Sequence, residues 1–250
     1  MYSTEASVFS IAVKQYLYKL KAYIGLFSGL ALTQFIGFLF SLGGVGQSGS
    51  GSSIMEVYIK RYSGDIVAVF TIIWIFATAI MLTIKAYRDM DFAFVSSRVS
   101  SNLSNIGFLL TYCVLGGVTV SLYGLLLRVV VYFTTGGAGI IGQDFKPSLF
   151  SLFAGTAAVV LYMLLFSGTG YLIGVLARLN RIFVVVIPAL FIGVVFTAAR
   201  VKTGNSVIAG TVEFFIKETS LLLFAVKVIL ASAVLFTGSM VLSNRTEVRE

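Results

Sequence analysis

Few side chains in this 250-residue chain could do acid–base or metal chemistry. The chain has no histidine and only ten carboxylates, all of which fall outside its strongly apolar runs. Catalysis by histidine and histidine-ligated metal sites are therefore excluded, and a proton relay through carboxylates inside a membrane is not expected. The one cysteine, Cys113, excludes a disulfide framework. An intramembrane enzyme is the least favoured function, and no cofactor or metal is expected to bind.

One glycine pattern, GAGIIG at 137–142, has the spacing of a dinucleotide-binding fingerprint. That fingerprint requires a strand before the glycines and a helix after them. Here the pattern falls between two apolar runs, so we predict a turn. The phosphate-binding pattern G-x-x-x-x-G-K-[ST] does not occur in the sequence. The chain is therefore not expected to bind ATP by itself.

Two residues inside apolar runs are candidates for a role in transport. Lys227 lies nine residues beyond Glu218, about 13 Å along a helix. From that depth its side chain cannot easily extend the charged ammonium group to the membrane surface. It is a candidate for a substrate pathway. Pro188 should kink its helix or leave a carbonyl for a neighbour to bind, and is a candidate hinge.

Paired glycines predict close helix packing at three places. Gly25 with Gly29, Gly170 with Gly174, and Gly116 with Gly117 place small residues on helical faces.

These residues must be positioned by membrane helices, because 58% of the chain is hydrophobic and only 11% is charged. A helix of about 20 apolar residues spans the hydrocarbon core of a bilayer. The predicted fold is an all-α membrane protein, a single transmembrane domain over 1–250 with six transmembrane helices. Alternation typical of a β-barrel is not seen. The six apolar runs are Ile24–Leu42, Ile66–Ile84, Ile106–Phe133, Leu149–Leu176, Ile182–Ala199 and Leu221–Leu242.

The distribution of lysine and arginine predicts the orientation. Ten basic residues fall on the side of the N-terminus and six on the other side, which favours cytoplasmic termini. We expect no cleaved signal peptide. The predicted location is a cell membrane crossed several times, with the bacterial plasma membrane favoured. The net charge of +8 suits anionic lipid, and no nucleic acid is expected to bind.

Three segments outside the apolar runs have predicted roles. Residues 7–21 place Ser7, Ser10, Lys14 and Lys21 on one helical face, which predicts an interfacial amphipathic helix; a simple extension of the first span is the alternative. Residues 43–53 are rich in glycine and serine and are predicted to hold no fixed structure. Residues 201–219 are predicted to form a re-entrant or interfacial segment on the outer side.

The cytoplasmic loop 88–105 is the longest polar interruption, and its sequence predicts an amphipathic helix over Asp91–Leu103. Apolar residues at spacings of three and four form a predicted inward stripe, and an aromatic with polar residues occupies another face. Two functions stay open, namely a cap on the helix bundle and a docking surface for a partner. The inward stripe is Phe92, Val95, Val99 and Leu103, and the other face carries Phe94, Arg98 and Ser101.

In layout, the chain resembles the permease subunit of ABC-2 type ATP-binding-cassette exporters. The matching features are the stretch SVFSIAVKQYLYKLK, six spans with both ends inside, the loop DMDFAFVSSRVSSNLSN and the outer segment VIAGTVEFFIK. The likeness covers nearly the whole chain but includes no sharp motif, and the glycine–serine outer loop departs from the family pattern.

The resemblance implies a permease without its own ATPase that moves an apolar or amphipathic substrate such as a peptide, lipid or drug-like molecule. It implies two partners, a separate nucleotide-binding ATPase subunit and a second permease subunit, identical or different. By the same resemblance the ATPase contacts are Phe94, Arg98, Ser101 and Lys14. The alternative function is a non-transporting membrane scaffold or immunity-type protein.

Overall fold

The computed structural model describes residues 8–44, 46–52, 55–84, 97–135, 148–179 and 220–245. These residues form helices and one two-stranded hairpin. In chain order the elements are α1 (Val8–Ala22), α2 (Ile24–Leu42), β1 (Gly46–Ser52), β2 (Met55–Arg61), α3 (Asp65–Met81), α4 (Arg98–Thr135), α5 (Leu149–Leu179) and α6 (Leu221–Arg245).

Among the described residues, four helices are long and apolar enough to cross a membrane, and their lengths and composition indicate a membrane protein. Four of the six predicted runs are therefore confirmed as helices of spanning length. The second run corresponds to α3, whose 17 residues make about 26 Å of helix, slightly less than a hydrocarbon core. The fifth run, Ile182–Ala199, lies outside the described residues, so the total of six spans stays a prediction. The four candidate spans are Ile24–Leu42, Val99–Thr134, Leu149–Arg178 and Leu221–Ser243.

The predicted helix at 7–21 corresponds to α1, which Tyr23 separates from α2. The Tyr23 backbone has φ −103° and ψ 31°, outside the helical region. Its carbonyl oxygen accepts the Leu26 N–H at 2.9 Å and the Tyr112 hydroxyl at 3.4 Å. The break thus keeps hydrogen-bond partners while the chain begins a new helix. Placement of α1 at a membrane surface stays a prediction.

Residues Gly46–Ser52 of the glycine–serine segment form a strand, so the prediction of no fixed structure is wrong for this part of 43–53. Strand β1 pairs with β2 in antiparallel register, from Gly46 opposite Arg61 to Ser52 opposite Met55. The sequence of β2, MEVYIKR, is rich in strand-forming residues. Pairing uses backbone groups, so a good strand can order a neighbour whose own side chains favour no structure. Apart from this hairpin, the described elements are all helices.

Helix α4 shows that the polar loop and the third span are not separate elements. It begins at Arg98 and continues for 38 residues, about 57 Å. The segment Arg98–Asn105 contains no proline or glycine to end a helix. Its serine hydroxyls bond to the helix itself, Ser100 Oγ to the Ser97 carbonyl at 2.7 Å and Ser104 Oγ to the Ser101 carbonyl at 2.8 Å. Residues 85–96 of the predicted loop lie outside the described residues.

The chain divides into two compact units that interleave in sequence. The first unit comprises Met1–Tyr18, Phe76–Leu109 and Leu164–Glu250, and the second comprises Lys19–Ile75 and Leu110–Met163. The prediction of a single domain over 1–250 stays a prediction.

An apolar cluster forms the core of the second unit, joining α2, α3 and α4. It consists of Phe38, Val67, Val120, Leu127 and Val131. A buried amide also crosses this unit, because Gln34 Nε2 donates to Thr119 Oγ1 at 2.9 Å and to the Gly116 carbonyl at 3.3 Å. Both α2 and α4 are thus fixed by packing and by hydrogen bonds.

The predicted glycine packing is found in the second unit at Gly116 and Gly117. A Cβ on Gly116 would lie 2.5 Å from Met163 Cε, and one on Gly117 would collide with Val160. These glycines let α4 and α5 approach closely. Gly25 differs, because a Cβ there would meet no described atom within 4 Å. The packing role of Gly25 stays a prediction.

Candidate functional site

The first unit contains a buried cluster of two amides and a phenol, which we name the amide–tyrosine cluster: Asn102, Asn105 and Tyr171. The Tyr171 hydroxyl donates to Asn102 Oδ1 at 2.8 Å and accepts from Asn105 Nδ2 at 3.3 Å. Asn102 and Asn105 reach the same hydroxyl because residues three apart share a helix face. All three side chains are buried, with Tyr171 only 2% exposed. The cluster ties the beginning of α4 to the last turns of α5.

Glycines allow α5 to lie close enough to its neighbours to bury Tyr171. A Cβ on Gly170 would lie 2.6 Å from the Phe76 carbonyl oxygen, and one on Gly174 would collide with Thr83. Both contacts are with α3 and the residues that follow it. The packing role predicted for Gly170 and Gly174 is therefore confirmed.

The Tyr171 ring also packs on α6. The Tyr171 and Phe236 ring centroids lie 6.0 Å apart, with the rings tilted by 51°. The buried face of α6 also carries serines, but their hydroxyls bond to their own helix: Ser232 Oγ to the Ile229 carbonyl at 3.0 Å and Ser239 Oγ to the Leu235 carbonyl at 2.7 Å. These two serines therefore need no further partner.

Two buried amides in the first unit differ from these serines. Asn102 Nδ2, and both side-chain polar atoms of Gln15, have no hydrogen-bond partner within the described ranges. Asn102 is 7% exposed and Gln15 is 3% exposed. Helix α1 reaches α4 close to the cluster, since a Cβ on Gly107 would lie 3.4 Å from Tyr16 Cδ2. Buried polar atoms are nearly always partnered, so these are candidates for contact with a bound molecule.

The inward stripe predicted for the polar loop is wrong at Val99. Its side chain is 47% exposed, and Leu103 is half-buried. Asn102 and Asn105 instead face inward with the neighbouring serines. Polar side chains are buried here because they find partners in α5 or in their own helix. Phe92 and Val95 lie outside the described residues.

Two of the predicted ATPase contacts have described side chains. Lys14 on α1 is exposed, and Ser101 near the start of α4 is half-buried. Arg98 is the first residue of α4, but its side chain lies outside the described part of the structure, as does Phe94. The role of these four residues stays a prediction.

The predicted transport residues have separate outcomes. Lys227 lies on α6 and is half-buried, while Pro188 lies outside the described residues, as do 137–142 and 201–219. In the described ranges, no group of three or more potential metal ligands of the His, Cys, Asp and Glu types is found.

The amide–tyrosine cluster was not predicted from the sequence. A signal was present in SNLSN at 101–105, where two asparagines stand three apart immediately before an apolar run. Tyr171 gave no signal, because a tyrosine within an apolar run is common near membrane interfaces.

Comparisons with protein-family models, with curated proteins and with solved structures find no match to the chain. The functional conclusion therefore depends on the chemistry of the described helices and their buried polar groups.

Proposed function

We propose that the chain is a permease subunit of an ATP-binding-cassette exporter, of the ABC-2 type, that moves an apolar or amphipathic substrate with a separate ATPase subunit. The observation that carries the proposal is the amide–tyrosine cluster, buried between helices of membrane-spanning length. Asn102 and Asn105 lie just before the apolar run Ile106–Phe133, and Tyr171 lies within the run Leu149–Leu176. The cluster is therefore at the predicted cytoplasmic end of the bundle, where buried polar groups are candidates for function. The unpartnered Asn102 Nδ2 favours a permease over a scaffold, because a permease must contact the polar part of its substrate.

The position of the cluster agrees with uptake of substrate from the cytoplasm. Asn102 lies four residues after the start of α4 and Tyr171 lies eight residues before the end of α5. Under the predicted orientation these two ends face the cytoplasm. An exporter receives its substrate from that side.

The separation of α1 from α2 also supports the proposal. Helix α1 has exposed apolar residues, Phe9 at 69% and Leu17 at 51%, and an exposed Lys14. This combination suits the boundary between headgroups and acyl chains of an anionic leaflet. A helix held there can contact a soluble ATPase and a membrane helix together.

The source of energy follows from the sequence. The ten carboxylates all lie outside the apolar runs, and the sequence has neither a histidine nor a phosphate-binding loop. Coupling to a proton gradient usually requires a titratable group at depth, and direct use of ATP requires a nucleotide site. We therefore assign the energy source to a partner.

The test is recovery of an active ATPase with the tagged chain after mild solubilisation of native membranes. We expect the wild-type complex to hydrolyse ATP and the chain purified alone to hydrolyse none. Phe94→Ala with Arg98→Ala should weaken ATPase binding about thirtyfold, as expected for loss of about 2 kcal/mol at an interface anchor.

Phe150→Ala provides the matched control, since Phe150 is an 80% exposed aromatic at the start of α5, outside the loop 88–105. This variant should retain the ATPase. Proton-driven transport by the chain alone, or a native complex without ATPase activity, would contradict the proposal and favour the scaffold or immunity-type alternative.

A further inference from the structure

We propose that Asn102 recognises a neutral oxygen acceptor, such as an amide or ester carbonyl, on the transported molecule. Identification of the ligand as the transported molecule rests on the proposed function. The site itself follows from the hydrogen bonds of the amide–tyrosine cluster and from the two buried amides without partners.

The hydrogen bonds of the cluster have one direction. Asn105 Nδ2 donates to the Tyr171 oxygen at 3.3 Å, and the Tyr171 O–H then donates to Asn102 Oδ1 at 2.8 Å. The Asn102 carbonyl oxygen is thus the atom that faces the Tyr171 hydroxyl. The Asn102 NH₂ group is therefore held on the other side, with two N–H donors.

These donors have no acceptor in the described part of the chain. Because Asn102 is only 7% exposed, bulk water does not solvate the amide freely. An unsatisfied buried donor is energetically unfavourable. The hydrogen bonds that run from Asn105 through Tyr171 to Asn102 polarise the Asn102 amide, so an acceptor for its N–H groups is more strongly favoured. Occupation by an oxygen atom from outside the chain removes that penalty.

Gln15 is a second, independent indication of a bound polar group. Its amide is 3% exposed, and neither its nitrogen nor its oxygen has a partner among the described residues. The next residue, Tyr16, packs against Gly107, two residues beyond Asn105 on α4. Both orphan amides therefore belong to helices that meet in the first unit.

The donor groups specify the chemistry of the ligand. An ammonium group has only donors and would be repelled by the Asn102 NH₂, so a cation is disfavoured. A carboxylate would bring a full charge to a neutral amide without a charged partner from the cluster. A neutral carbonyl oxygen can accept hydrogen bonds from the N–H groups of Asn102 and brings no charge into the buried site. An amphipathic amide or ester combines this oxygen with the apolar body that the surrounding helices suit.

The experiment measures binding of two chain-length-matched probes to the purified full chain in lipid nanodiscs, through the shift in thermal unfolding with probe concentration. N-methyldodecanamide presents a carbonyl oxygen, and dodecylammonium presents only donors. Wild type should prefer the amide. Asn102→Leu should weaken amide binding about threefold to tenfold, as expected for one lost hydrogen bond.

Asn102→Asp replaces the two donors by acceptors and should reverse the preference towards dodecylammonium. This reversal is not expected from a merely destabilised protein. Gln34→Leu is the matched control, because it removes a buried amide of the second unit whose nitrogen is already hydrogen-bonded. It should leave the probe preference unchanged.

Equal binding of both probes by wild type would show that Asn102 holds only water and would overturn the inference. Unchanged amide preference in Asn102→Leu and Asn102→Asp would overturn it as well. The assay contains no ATPase, so its outcome is separate from the test of the proposed function. If the chain prefers the amide probe but no partner ATPase is recovered, the binding site is still supported. Only its assignment to transport is then lost.

Discussion

Replacement of Tyr171 by phenylalanine is the most direct test of the amide–tyrosine cluster. The change removes one oxygen and keeps the ring, so the packing on Phe236 is retained. It deletes both hydrogen bonds of the hydroxyl, to Asn102 and from Asn105. Asn102 and Asn105 then both lose their hydrogen bond to Tyr171.

The expected loss of stability follows from these two bonds. A hydrogen bond between membrane helices contributes on average about 0.6 kcal/mol and at most about 1.7 kcal/mol. Tyr171→Phe should therefore lower the free energy of unfolding by about 1–3 kcal/mol. Asn102→Leu should destabilise less, because it breaks one bond and also removes the buried NH₂ that has no partner in the described residues.

The assay is a double-mutant cycle on reversible unfolding in mixed detergent micelles. Once Tyr171 is phenylalanine, the Asn102 carbonyl has already lost its bond, so the second change should cost less than it does alone. The coupling energy should be about 0.6–1.7 kcal/mol. Tyr123→Phe is the control, since the Tyr123 ring packs on Phe38 at 5.6 Å and the described part of the structure shows no hydrogen bond from its hydroxyl.

Strictly additive effects of Tyr171→Phe and Asn102→Leu would refute the cluster. The same conclusion would follow if Tyr171→Phe unfolded with the stability of wild type. In either case the assignment of donors at Asn102, and the ligand chemistry inferred from it, would no longer hold.

Two further predictions concern packing and orientation. Gly174→Ala should destabilise the chain by about 1–3 kcal/mol through overpacking, because its Cβ collides with Thr83. In Gly25→Ala the new Cβ meets no described atom within 4 Å, so this variant should be neutral or stabilise by up to about 1 kcal/mol. Equal unfolding midpoints of the two variants would contradict this. Cysteines introduced at Ser50 and Ser96 should react with an impermeant reagent from outside and inside respectively, while the buried native Cys113 stays unlabelled; the opposite pattern would invert the orientation.

The helix ends show how far local patterns predict this fold. The run Ile24–Leu42 and the helix α2 have the same bounds, and the fourth and sixth runs begin at the same residues as α5 and α6. Membrane-length apolar runs are strong signals because a helix is one of very few ways to satisfy backbone groups in lipid. The sequence predicted a helix over Asp91–Leu103 but not its continuity with the third span in α4, because hydropathy detects the apolar part of a helix and not its extension beyond it.

The candidate site could be predicted only in part. The sequence drew attention to the loop 88–105 and therefore to the region that contains Asn102 and Asn105. It placed Val99 on the inward face, whereas Val99 is exposed. Asn102 and Asn105 turn inward instead, because both find a hydrogen-bond partner in Tyr171.

By itself, the sequence determined the class of protein, the positions of the main helices and the shortage of titratable groups, because composition and run length act residue by residue. Only the tertiary structure decided which groups meet. It brought Tyr171 between Asn102 and Asn105, about 66 residues away along the chain, and it distinguished the crowded Gly174 from the open Gly25. It also ordered the glycine–serine segment as β1 by pairing it with β2. Such contacts depend on the approach of distant segments, and no local pattern of apolar and polar residues specifies that approach.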